Sequence, residues 1–197
     1  MRRDLVMTNH RQETGSWCWA GSAQTVNEFI RKLLHDPKDQ CNLVSQVFKD
    51  DPQGGSASSG EQIDCCLARR TVPMNELGAP EARDYCDRGL WPDDVLSKAD
   101  IKFLKVSYDP PFDELQGWND LTWQIDQELP YIVVVRWVGG GRHAVTIGGY
   151  SNSPNSGEFV HVYDPGQQDF YIMPFTDFYN GIPSKFAHEF DYFIMRP

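Results

Sequence analysis

Past Cys18, the apolar residues Trp19, Ala23, Val26, Ile30 and Leu33 recur at steps of four, three, four and three. That spacing is one face of an α-helix. It predicts a helix from Cys18 that ends before Asp36-Pro37, because the residue ahead of a proline disfavours the α region. Leu43, Val44, Val47 and Phe48 sit at helical spacing and predict a short second helix. Residues 50–60, rich in Gly, Ser, Asp and Pro, read as a loop. A further helix is expected behind Ser59 as N-cap and Gln62, with Cys65, Cys66, Leu67 and Ala68 as its apolar face. Another runs from Glu81 to Arg88, opened by Pro80 and closed by Gly89. The polar residues 1–11 read as a loosely held arm.

The pattern changes in the second half. Lys102–Tyr108 reads as a strand, and Asn119 or Asp120 is expected to cap a helix from Leu121 to Leu129. Then come the β-branched and aromatic runs Tyr131–Val138, Ala144–Ile147, Phe159–Tyr163, Phe170–Met173 and Phe190–Met195. Gly, Pro, Asn and Ser bound them at short intervals, as in an antiparallel sheet or half-barrel. The expected fold class is α+β, in one domain of 197 residues. A helical N-terminal half, about residues 12–100, packs against a sheet of about residues 101–197, with a cleft between them. The division falls near Gly89, Pro92 and Pro110-Pro111.

Composition narrows the partners. The formal charge is −10 and the pI about 4.8, which disfavours nucleic acid and anionic membrane surfaces. No apolar run approaches the roughly 18 residues of a membrane span. The start of the chain has two arginines but no apolar stretch behind them, so it does not read as a secretory signal. Five cysteines are present: Cys18, Cys41, Cys65, Cys66 and Cys86. With Cys18 set apart, four remain. Vicinal cysteines seldom bond each other, which leaves Cys41 and Cys86 each bonded to one of the pair Cys65 and Cys66. The alternatives are four reduced thiols in a reducing compartment and a zinc site, for which no CxxC or HxxxH spacing is present.

Candidate chemistry centres on Cys18. A cysteine in the first helical turn meets unpaired N–H groups and the positive end of the helix dipole, both of which favour a thiolate. The competing reading is a small buried hydrophobe. A cysteine nucleophile needs a base, usually histidine. Of His10, His35, His143, His161 and His188, His143 stands out: it follows Gly139-Gly140-Gly141-Arg142 and opens the strand Ala144–Ile147. The glycines leave no side chains to obstruct a cleft. His161, inside an alternating strand, is the fallback. A third group orients the base, and Asp164, at the end of the strand Phe159–Tyr163, comes out beside His143 if the two strands are neighbours. Asp164-Pro165-Gly166 is also a good turn by itself, and Asn152 is a weaker orienter. Gln12 is the candidate side-chain donor to an oxyanion, acting with the backbone N–H of Cys18.

The conjunction of Gln12, Trp17-Cys18-Trp19-Ala20, Gly140-Gly141-Arg142-His143-Ala144-Val145 and Val162-Tyr163-Asp164-Pro165 resembles the papain-like cysteine peptidases. It is most similar to a bacterial branch with a Trp-Cys-Trp-Ala motif. That branch includes plant-pathogen effector proteases and borders the bacteriocin-processing peptidases. The resemblance spans about residues 12–165. It implies Cys18 as nucleophile, His143 as base and acid, Asp164 as orienter and Gln12 as oxyanion donor. It also implies no cofactor and no metal, a protein or peptide substrate, an inhibitor or immunity protein as a further partner, and a secreted or translocated product. The chain departs from the plant and lysosomal signature in three places. Gly15 stands where that signature has its first cysteine, the Cys-to-His interval is shorter than its usual 130–150 residues or so, and the third residue is Asp rather than Asn. The residues ahead of Gln12 are too few for a propeptide, so in a complete chain control would come from export, a partner or an inhibitor. Two other classes fit the same order of residues. One is a transglutaminase-like acyltransferase or deamidase, though its Cys-to-His interval is shorter. The other is an inactive peptidase fold that serves as a binding module.

Overall fold

Tyr131–Val135 is an unbroken apolar run because the strand that holds it is covered on both faces. Ile132 and Val134 enter one core with Ala144, Tyr192 and Ile194 of the sheet, while Tyr131, Val133 and Val135 enter a second with Val145, Ile147, Val160 and Val162. Alternate residues of a strand point to opposite faces, so one short run serves both cores. The computed structural model describes residues 1–31, 39–49, 65–66, 86–108, 113–167 and 169–196. The helix expected behind Ser59, and most of the one expected at Glu81–Arg88, lie outside these residues.

The described elements are β1 (Arg2–Asp4), α1 (Cys18–Arg31), α2 (Gln40–Lys49), α3 (Pro92–Lys98), β2 (Phe103–Ser107), α4 (Glu114–Asp126), β3 (Tyr131–Trp137), β4 (Arg142–Ser153), β5 (Gly157–Tyr163), β6 (Tyr171–Pro174), α5 (Phe175–Tyr179) and β7 (Phe186–Ile194). The strands form one seven-stranded sheet in the order β2-β7-β3-β4-β5-β6, with β1 paired to β4. Every neighbouring pair is antiparallel. Residues of α1, α2 and α3 build the first core on one side of this sheet, and residues of α4 and α5 build the second on the other. The expected α+β architecture is present, as an open sheet with helices on both faces.

Two local expectations are corrected. The N-terminal residues are not a loose arm. Arg2–Asp4 pair with Gly149–Ser151 of β4, and the Leu5 N–H bonds the Gly148 carbonyl at 2.7 Å. Asp4 also meets the buried His161. The helix before β3 starts earlier than Asn119. Asp113 is its N-cap and accepts a 3.0 Å bond from the Gln116 N–H, and the added turn carries Trp118 into contact with Tyr150 and Phe175. The four cysteines other than Cys18 form two disulfides, Cys41–Cys66 and Cys65–Cys86. Among the described residues, the one grouping of potential metal ligands is Asp39, Cys41 and Cys66, and its two sulfurs are bonded to each other.

One buried group on α1 opposes the packing around it. Asn27 is 1% exposed, and among the described residues neither its Nδ2 nor its Oδ1 has a hydrogen-bond partner. Such a group costs about 1–3 kcal/mol. Asn27→Leu, similar in shape and a better helix former, is expected to raise the thermal midpoint by roughly 2–8 °C. A lowered midpoint in a calorimetric scan would show that the amide is satisfied in solution.

Candidate active site

Cys18 stands at the first residue of α1, where helix N–H groups have no intrahelical carbonyl. It is the free cysteine of the chain and is half-buried. The two tryptophans beside it are core residues, which anchors the helix start. Trp17 Nε1 donates to the Cys86 carbonyl at 2.6 Å, and Trp19 Nε1 donates to the Arg88 carbonyl at 3.2 Å. One turn further, Ser22 Oγ donates to the Ala144 carbonyl at 3.0 Å, and Thr146 Oγ1 donates to the Ser22 carbonyl at 3.3 Å. All of these groups are buried, so the exchange locks α1 onto β4 next to His143.

The β3–β4 hairpin presents His143. Val135 pairs with His143 and Arg136 with Arg142, and the turn runs through Gly139, Gly140 and Gly141 at φ of 104°, 106° and 84°. These angles are strained for any residue with a side chain, which explains three successive glycines. Thr146 pairs with Tyr163, so Asp164, one residue further, lies on the diagonal to His143. His143 Nε2 and Asp164 Oδ1 are 2.7 Å apart. This leaves Nδ1 free to face the Cys18 sulfur, which lies close enough to the ring to raise its pKa.

The electrostatics follow from this chain of groups. Burial alone would lower the pKa of His143, but hydrogen bonds and charges from Asp164 and Cys18 outweigh it and push it up to about 9. Burial would raise Asp164, yet its bond and charge interaction with His143, with help from the Gly166 N–H at 2.7 Å and Gln167, hold it below the usual carboxylate value. The turn that carries Asp164 is clamped by the N-terminal residues. Asn9 Nδ2 donates to the carbonyls of Asp164 and Gln167, and the Gln12 N–H donates to the Pro165 carbonyl at 2.8 Å. Gly21 permits this close approach: a Cβ there would lie 2.7 Å from Pro165 Cβ.

Gln12 is in the loop ahead of Cys18, but its amide is engaged. Nε2 donates to the carbonyls of Thr14 and Gly15, each at 2.9 Å, and Oε1 is buried with no partner among the described residues. The other candidates lie elsewhere. His161 is paired with Asp4 and Ser151, His10 with Glu28, and His188 with Asp191 in the second core. The Asn152 side chain faces Glu158. His35 is outside the described residues.

Cys18 and His143 open into a cleft of about 460 Å³ between helices and sheet. Gly15, Ser16, Trp19, Gly89, Leu90, Trp91 and Pro92 line one wall, and Val134, Trp137, Gly141, Arg142 and Ala144 the other. Trp137 and Trp91 were not foreseen as site residues. Trp137 stacks on His143 with ring centroids 5.8 Å apart and planes at 29°. Its place three residues before Gly140 in a glycine hairpin that leads to His143 was the available signal. Trp91 is covered by Arg142, which is itself held by two bonds to Glu189 of 2.6 and 2.8 Å. No sequence pattern announces that contact.

No family model matches the chain, and no curated protein sequence matches it. Solved structures that resemble it include UfSP from C. elegans, with a TM-score of 0.49 and 12% identity over 100% of this chain and 34% of that one. Another is the proform of the Amb a 11 cysteine protease, a major ragweed pollen allergen, with a TM-score of 0.47 and 13% identity over 100% of this chain and 66% of that one. The chain thus spans about a third of the first structure's length and about two thirds of the second's.

Proposed function

We propose that this protein is a cysteine peptidase of papain type, with Cys18 as nucleophile, His143 as base and acid, and Asp164 as orienter. The observation that carries the reading is the His143 ring, held by Asp164 at Nε2 and lining, together with Cys18, one open cleft between helices and sheet. An imidazole held this way can take the thiol proton and keep it beside the sulfur. The thiolate then attacks a peptide carbonyl. The oxyanion that forms faces the Cys18 N–H at the helix start. His143 returns its proton to the leaving amine, and a water molecule, deprotonated by the same ring, hydrolyses the thioester. Gln12 is proposed as the second oxyanion donor. Both of its N–H groups serve loop carbonyls, so that role requires one of these bonds to be exchanged when substrate enters.

The proposal extends to the bacterial branch that the Trp17-Cys18-Trp19-Ala20 motif resembles, and to an exported effector or toxin restrained by an inhibitor or immunity protein. Two disulfides support an oxidising destination. Among the described residues, no helix is long and apolar enough to cross a membrane. The test is incubation of the protein with a peptide library in the presence of a primary amine, read by mass spectrometry. New peptide termini, blocked by an epoxide inhibitor that labels Cys18, are the expected result. Amine incorporation at glutamine without backbone cleavage overturns the peptidase assignment in favour of an acyltransferase.

A further inference from the structure

The loop that delivers Cys18 is seated on a carboxylate that does not line the cleft. Asp87 Oδ1 accepts a 2.5 Å bond from Thr14 Oγ1 and a 3.0 Å bond from the Ser16 N–H. These residues are 73 and 71 positions from Asp87 in the chain. Charge-assisted bonds to an ionised acceptor are the strong kind. Asp87 is fixed in turn by its neighbours. Cys86, bonded to Cys65, precedes it and takes the Trp17 indole on its carbonyl, and Arg88, which follows, takes the Trp19 indole. The segment 86–88 therefore grips residues on both sides of Cys18. The loop it holds has three roles in the site. Gly15 and Ser16 form part of the cleft wall, the Thr14 and Gly15 carbonyls hold the Gln12 amide, and Ser16 leads through Trp17 to the nucleophile.

We infer that Asp87 is a positioning residue for the nucleophile loop: by fixing Thr14 and Ser16 with a single oxygen, it sets where Cys18 and the Gln12 amide stand relative to His143. This rests on the peptidase reading for its kinetic consequence, but not for its chemical one. A misplacement of about 1 Å at a reacting centre costs on the order of 10²-fold in rate. Releasing the loop should therefore reduce turnover, with a smaller effect on substrate binding through Gly15 and Ser16 of the cleft wall.

Cys18 is the free cysteine, so alkylation by iodoacetamide reads its environment without any substrate. In Asp87→Ala, the Cys18 alkylation rate is expected to fall at least about fivefold relative to wild type under the same conditions. Peptide hydrolysis is expected to lose about tenfold or more in kcat, with KM within about twofold. Asp87→Asn retains an oxygen that accepts both bonds and should restore both readouts to within about threefold. Thr14→Val, which removes one donor and conserves shape, should give a partial loss that does not add to that of Asp87→Ala. It also keeps the test open should Asp87→Ala fail to fold. Unchanged alkylation in Thr14→Val and Asp87→Ala overturns the inference, as does Asp87→Asn behaving like Asp87→Ala. If wild type cleaves no peptide while the alkylation pattern holds, the peptidase reading fails and the positioning role stands.

Discussion

Cys18→Ala is expected to bring peptide hydrolysis down to background, a loss on the order of 10⁴–10⁶-fold in kcat. A residue that forms the covalent intermediate cannot be replaced in part by its neighbours, and what survives such a deletion elsewhere is transition-state binding without a nucleophile. The same substitution should leave the fold nearly intact. Cys18 is half-buried at the margin of the first core and takes no part in either disulfide. Replacing one sulfur there by hydrogen removes a small apolar contact, worth about 1 kcal/mol or less at a partly exposed position. The anchors of the helix start, from Trp17, Trp19 and Ser22, involve other side chains and remain. Three measurements separate loss of chemistry from loss of structure. Initial rates on a cleaved peptide should vanish, the thermal midpoint should move by no more than about 4 °C, and a thiol titration under non-reducing conditions should detect no free thiol. Residual hydrolysis in a preparation shown by mass spectrometry to be the variant would remove Cys18 from the mechanism.

The parts of this architecture that were legible in the chain are those where one pattern dominates. The apolar positions from Trp19 to Ile30 repeat with a helical period, and Trp19, Ala23 and Val26 are buried on one side of α1. Tyr131–Val138 reads as a strand from its β-branched and aromatic residues, and β3 spans Tyr131–Trp137. The nearness of Asp164 to His143 could be expected because one follows the end of a strand and the other lies near the start of its neighbour, where a side chain can leave its own element and meet another. The start of α4 was not, since Gly117 lowers the local helix propensity and the turn is stabilised instead by Trp118 packing on Tyr150 and Phe175. The arm failed for a similar reason. Arg2–Asp4 carry no apolar alternation, and their strand exists because β4 extends past the end of β3 and offers a free edge. The contacts that hold the site residues in place were the least legible. Thr14 with Asp87, Asn9 with the Asp164 carbonyl and Arg142 with Trp91 are contacts between segments far apart in sequence, made by residue types that are ordinary on any surface.

Asp164→Ala should lower kcat/KM by about 10²–10⁴-fold, the range ascribed to a positioned proton-transfer group. It should also change how stability depends on pH. The turn loses the Gly166 N–H bond to the carboxylate but should persist on its carbonyl bonds: the Asp164 carbonyl accepts from Asn9 Nδ2 and the Gln167 N–H, and the Pro165 carbonyl from the Gln12 N–H. The larger loss is the partner at His143 Nε2. In wild type the His143 pKa is about 9, against an ordinary value of 6.5, because Asp164 and Cys18 outweigh burial. A raised histidine stabilises the fold fully below its unfolded pKa, and the contribution disappears as pH climbs through the folded one. The window is therefore about pH 6.5 to 9, and the contribution below it is on the order of 3 kcal/mol, the larger share from Asp164 and the smaller from Cys18. Asp164 adds a second limb of opposite sign. Its lowered pKa stabilises the fold above the ordinary carboxylate value near 3.8 and is lost as pH falls through the folded value below that. Urea melts should thus show the widest gap between wild type and Asp164→Ala from about pH 4.5 to 6.5, closing toward pH 9.5. The imidazole resonances of His143 should titrate in the variant at or below the ordinary range, since burial then acts against only the Cys18 interaction. Asp164→Asn leaves an oxygen that can accept from Nε2–H without the charge, so it should retain more activity than Asp164→Ala while showing most of the same flattening with pH. A gap between wild type and Asp164→Ala that stays constant from pH 5 to 9.5 would mean that Asp164 supports the turn and does not hold the proton on His143.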